Sequence, residues 1–130
     1  MTFDHVALLP AYLAAGTVVL VLLADLVVAR RRAGVGAAAA GALATAAAAA
    51  AVGATGPRST LCTVGCAYLA TGHAAVVAVS FALLTLATLA LSGSLLRARD
   101  TPAGEWCLLL TAAMTGGVVL GYAGDLLTLL

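Results

Sequence analysis

The sequence predicts an all-α polytopic membrane protein: a single membrane domain over residues 1–130, with four transmembrane helices and the start of a fifth. Three observations carry this. Hydrophobic residues make up 64% of the chain and charged residues 8%, against about 25% charge in an ordinary globular domain. Four apolar segments are each long enough to cross a bilayer, and five of the six arginines cluster just after the first and third of them. A water-soluble fold of this size would leave roughly a third of its chain surface in water, and five acids and six basic residues cannot cover it. The mean hydropathy of +1.17 agrees. Lipid is therefore the expected solvent. A net charge of +1 excludes nucleic acid as a partner, because phosphate binding needs a clustered basic face.

A spanning helix needs about 20 mainly apolar residues at 1.5 Å each, since the hydrocarbon core is about 30 Å thick and tolerates no unpaired backbone. Residues 1–5 carry Asp4 and no basic residue, unlike the start of a secretory signal peptide, so the first apolar segment is expected to stay as a helix. That helix covers about 6–29, with Pro10 in its opening turns, where a missing N–H is harmless. It stops at Arg30-Arg31-Arg32. The second, about 34–53, is nearly all alanine. Alanine is the best helix former but buries only one methyl group, so insertion should need help from neighbours. A disordered tract would need charge, Pro or Ser that is missing here. The third helix covers about 73–96 and ends at Arg97-Ala98-Arg99-Asp100. Thr101-Pro102-Ala103-Gly104 reads as a turn. The fourth covers about 106–122, with Trp106 and Tyr122 at its ends, where interfacial anchors belong. Gly124-Asp125 forms a corner, and 126–130 opens a fifth helix. Loops rich in arginine stay in the cytoplasm, which puts the N-terminus outside.

Within the outer loop, residues 55–72, Cys62 and Cys66 lie four apart on the side where disulfides persist. A local disulfide is expected. Two free thiols, or a zinc site completed by His5 and His73, are the alternatives, although zinc needs four ligands and nothing in the spacing demands it. Asp25 is the one carboxylate inside a predicted span, a costly position that points to function by default. It lies only five residues before Arg30, so an interfacial carboxylate paired with arginine or with a neighbouring helix is the plainer expectation. Gly117 and Gly121 form a small-xxx-small pair, which lets helix backbones approach closely. No catalytic triad, phosphate loop, cofactor motif or metal motif is present.

Several of these residues carry a family resemblance. Leu8-Leu9-Pro10 and Leu23-Ala24-Asp25-Leu26 before a basic stop resemble the first helix of subunit N of the proton-pumping NADH-quinone oxidoreductases (respiratory complex I). Gly104-Glu105-Trp106-Cys107-Leu108-Leu109-Leu110, Met114, and Ala123-Gly124-Asp125-Leu126-Leu127-Thr128-Leu129 resemble that subunit's fourth helix and the opening of its fifth. The resemblance covers essentially the whole chain and marks Glu105 and Asp125, with Asp25, as functional or structural carboxylates. Ala11 stands where the family usually has Glu, and Thr71 and His73 stand where it often has Asp and Phe.

The resemblance implies a membrane subunit of a translocase that couples electron transfer from NADH to quinone with proton translocation. It implies the other membrane subunits as partners and the bacterial inner (plasma) membrane as location, with NAD and quinone used by the whole complex and no cofactor bound by this chain. The family's channel uses a glutamate in the fifth helix and lysines in later helices. The glutamate would fall beyond Leu130, and the chain has no lysine. The expectation is an N-terminal fragment without channel residues, not catalytic alone. A small four-helix transporter and a structural assembly subunit are the alternatives. An exporter of that kind needs an acid at mid-membrane depth, and Asp25 sits too close to the helix end.

Overall fold

Each long apolar segment becomes a helix because, in lipid, only a helix satisfies every backbone group within the segment itself. The computed structural model describes residues 4–28, 31–62, 66–98 and 102–123. The helices are α1 (Leu9–Val28), α2 (Arg31–Ala54), α3 (Gly72–Ala98) and α4 (Ala103–Tyr122). All four are long and apolar enough to cross a membrane. Successive helices pack as neighbours, α4 returns against α1 to close the ring, and α2 and α4 also touch across its centre. The slenderness of an alanine helix permits that diagonal contact.

Inside and outside are reversed relative to a water-soluble bundle. The buried positions of α1 are Pro10, Ala14, Thr17 and Val21. Those of α4 run from Ala103 through Cys107, Thr111, Met114 and Val118 to Tyr122. Steps of three or four residues keep each set on one face of its helix. Small residues, alanine above all, and the hydroxyls of Thr17, Thr45, Thr85, Ser92 and Thr111 fill the interior. Leucine and valine point outward, with Leu26 80% and Leu91 77% exposed. Such a surface would aggregate in water and suits acyl chains. Small interior residues supply the close backbone approach that packing in lipid needs.

Four of these interior hydroxyls are satisfied within their own helices. Thr17, Thr45, Thr85 and Thr111 each donate to the carbonyl four residues back, at 2.7 to 2.8 Å. Thr115 also reaches the Ala14 carbonyl of α1 at 3.1 Å. Cross-helix bonds of this kind contribute about 0.6 kcal/mol each in membranes. A glycine-on-side-chain contact joins α1 to α2, because Thr17 occupies the space where a Cβ on Gly41 would lie.

The loop reading needs correcting, and three helix starts shift by three residues, α1 beginning at Leu9 rather than 6. The loop over 55–72 contains a β-hairpin, β1 (Arg58–Cys62) and β2 (Cys66–Ala70), paired antiparallel with Thr60 opposite Tyr68 and Cys62 opposite Cys66. Gly56, at φ +95°, turns the chain between α2 and Pro57. The second helix starts at Arg31 rather than 34, since arginine is a good helix former. The fourth helix starts at Ala103 rather than 106, with Pro102 as its N-cap; the opening of a helix is where the missing proline N–H costs nothing. Arg30, Arg99, Asp100, Gly124, Asp125 and the predicted fifth helix at 126–130 lie outside the described residues.

Candidate functional site

Two clusters of polar residues mark the two ends of the bundle. At the first, the hairpin lies over the end formed by the start of α1 and the finish of α4. Residues 58, 60, 62, 66, 68 and 70 share one face of the two-stranded sheet. Thr60, Tyr68 and Ala70 on that face are buried, while Ser59 and Leu69 on the other are exposed. The backbone N–H of Asp4 donates to Thr60 Oγ1 at 3.0 Å. Its carboxylate accepts from the N–H groups of Val6 at 3.1 Å and Ala7 at 3.4 Å, and pairs with the Arg58 guanidinium at 3.2 Å.

Loss of hydration opposes ionisation of Asp4, but the Arg58 hydrogen bond and charge, with the Ala7 and Val6 N–H groups, outweigh it and hold the carboxyl below its ordinary 3.8. A carboxyl depressed in the folded state stabilises it above the unfolded value, and that contribution disappears as pH falls through the lower folded value. The difference in thermal midpoint between the parent chain and Asp4→Asn is therefore expected to be present at about pH 6 and to shrink as pH falls below 3.8. The effect is small, as for most surface ion pairs.

On the same hairpin face, Tyr68 stacks on Tyr122 with ring centroids 4.9 Å apart and planes within 4°. Tyr68 also forms a backbone bridge with Ala123. Tyr68 is 6% exposed and Tyr122 fully buried. Both hydroxyls, and Arg58 Nε, are buried without a hydrogen-bond partner. Burial pushes the Tyr68 phenol well above its ordinary value, with the neighbouring Tyr122 adding to the shift. Cys62 and Cys66 are joined by a disulfide, with Cα atoms 4.1 Å apart. Bonded to each other, neither is available as a zinc ligand. His5 and His73 are exposed, and among the described residues no group of three or more His, Cys, Asp or Glu is placed to hold a metal. Sequence reasoning missed Arg58, Thr60, Tyr68 and Tyr122 as partners. The available signal was two five-residue strands flanking a three-residue link that ends in Gly65, a hairpin pattern.

At the opposite end, the Asp25 carboxylate of α1 lies directly over Gly104, the second residue of α4, where a Cβ would overlap it. The helix start carries unpaired N–H groups and the positive end of the helix dipole, so a carboxylate is favoured there. Glu105, exposed in the first turn of α4, gains from the same dipole. Asp25 thus lies against the neighbouring helix. The side chains of Arg30 and Arg31 lie outside the described residues. One turn further into α4, the free thiol of Cys107 is buried with Val21, Ala38 and Leu89. Gly117 and Gly121 face α3: the Phe81 ring lies where a Cβ on Gly117 would project, and Val77 fills the same space at Gly121, 2.9 Å from it. Val77 and Phe81 are one helical turn apart and form the ridge that enters this groove.

The sequence is 65% identical over 130 residues to "NADH-quinone oxidoreductase subunit N" of Salinispora tropica, a match covering 99% of this chain. Along its length the chain is similar to a fragment of a subunit N. It spans about a quarter of the length of that curated relative. No family model matches the chain. The helices, the outward leucines and the subunit N relationship together make it a multi-pass membrane protein.

The described carboxylates lie toward the two ends of the bundle, and its middle carries the packing. Among the described residues the carboxylates are Asp4, Asp25 and Glu105. Asp4 precedes α1, Asp25 lies three residues before its end, and Glu105 lies in the first turn of α4. Mid-span positions instead hold alanine, glycine and threonine hydroxyls bonded to their own helices.

Proposed function

We propose that this chain works as a packing scaffold within subunit N of a proton-translocating NADH-quinone oxidoreductase, in a bacterial plasma membrane with the N-terminus outside. The 65% identity along 99% of the chain carries this reading. In it, electrons pass from NADH to quinone elsewhere in the complex, with those cofactors bound by other subunits, and the released energy moves protons through the membrane arm. A relay through a helix bundle needs titratable groups at mid-membrane depth. The described carboxylates lie at helix ends instead, which favours support of the arm over conduction through this segment. Arginines at the α1–α2 and α3–α4 links favour the orientation, because basic short loops stay in the cytoplasm. The other membrane subunits of the complex are its partners.

Affinity purification of the tagged, full-length protein from its own membranes, in mild detergent, tests the assignment. NADH-quinone oxidoreductase subunits and their NADH dehydrogenase activity are expected to co-elute with the tag. Elution as a free small oligomer, with no such activity, would reject the assignment and favour the small-transporter alternative.

A further inference from the structure

We propose that the hairpin is a disulfide-closed strap that ties the C-terminal end of α4 to the approach to α1, with the Cys62–Cys66 bond acting as its register lock. This inference stands on geometry alone and does not depend on the proposed function.

One strand face makes both of the attachments to Asp4 and α4. Arg58 and Thr60 of β1 hold Asp4 through an ion pair and a hydrogen bond. Tyr68 of β2 holds α4 through the stack on Tyr122 and the backbone bridge to Ala123. Thr60 and Tyr68 are directly opposite each other in the ladder, so the two attachments are joined across a single register position.

Register therefore decides whether the strap can close. Side chains alternate along a strand, and a one-residue slip sends a whole set to the other face. A slip of β1 against β2 would separate the Thr60 and Tyr68 contacts. An isolated two-stranded hairpin is marginal by itself and does not enforce its register strongly. The disulfide does so, because Cys62 and Cys66 form the next pair along the same face. Closure also works against a cost. Arg58 Nε, Tyr68 Oη and Tyr122 Oη are all buried without partners, and each would regain water if the strap lifted. With the lock removed, both the weak register and these three polar groups favour the open form, and the two attachments are released together.

Hydrogen exchange followed by mass spectrometry on the full-length protein in native-lipid nanodiscs tests this, comparing the parent with Cys62→Ser/Cys66→Ser. Exchange is expected to rise by about tenfold or more at three places at once: the hairpin, residues 4–8, and residues 120–123. Amides in the middle of α2 and α3 should not change. If the variant does not accumulate, a water-soluble phosphine on the parent protein gives the same comparison. The phosphine takes the oxygen of water, the S–S bond breaks and two thiols form.

Two single-site variants with the disulfide intact separate the arms. Tyr68→Ala is expected to raise exchange at 120–123 and leave 4–8 unchanged, and Arg58→Met to do the reverse. Faster exchange confined to the hairpin after loss of the disulfide, or no change anywhere, would overturn the proposal. So would a rise at both arms in either single-site variant, since that would mean general loosening of the bundle end.

Discussion

Gly41→Leu is expected to stop α1 and α2 from closing, and to cost about 3 kcal/mol or more in folding within the membrane, the upper end for overpacking a dense interior. Thr17 already fills the space a Cβ on Gly41 would need. Thr17 is itself held in place, fully donated to its own helix at Leu13 and 2% exposed, so it has little freedom to swing aside. The neighbouring buried residues, Ala14, Ala38 and Ala42, have no flexible side chain that could yield. Unfolding of the purified protein in mixed micelles, with increasing denaturing detergent, would measure the loss. The contact also predicts a rescue. Gly41→Ala should be destabilising alone, and combining it with Thr17→Gly should recover most of the loss by moving the side chain to the other partner. Additive losses in the double variant would mean that the two residues do not share that space.

This contact also separates what was legible in the sequence from what was not. The four spans were legible because about 20 apolar residues between arginines admit only one backbone solution in lipid. The pattern of burial was less so: with alanine on every face of α2, periodicity in the sequence cannot identify the face that meets Thr17. The hairpin was missed because β1 and β2, five residues each, are too short to outweigh a loop reading, and because its stabilising partners lie far away in sequence. Asp4 is 54 residues from Arg58, and its backbone N–H is 56 from Thr60. Likewise Gly104, read as part of a turn, proved to be the residue that accommodates Asp25.

That pairing gives the second large effect. Gly104→Val is expected to push the Asp25 carboxylate away from the start of α4 and to open the α1–α4 seam at that end. The cost combines overpacking, about 1 to 3 kcal/mol, with loss of the carboxylate's interaction with the helix terminus, about 0.3 to 1 kcal/mol. Asp25→Asn, which keeps the shape and removes the charge, should show only the second, smaller part. Asp25→Ala/Gly104→Ala should be markedly less damaging than the sum of its single changes, because the residues are in contact and their effects need not add. A double-mutant cycle on thermal stability would measure this coupling. A coupling near zero would contradict the contact.

In the proposed scaffold Asp25 has a packing role. As a carboxylate at a helix terminus it holds two helices together, where a member of a proton pathway would have to change protonation in each turnover. Glu105, in the first turn of the same helix, is assigned the same electrostatic role. The most direct test is the number of protons moved per NADH oxidised by the assembled enzyme carrying Asp25→Asn/Glu105→Gln, reconstituted in liposomes. A scaffold predicts the parent ratio in whatever enzyme assembles, even if less of it does. Full NADH oxidation with a clear fall in protons moved per NADH would contradict the account.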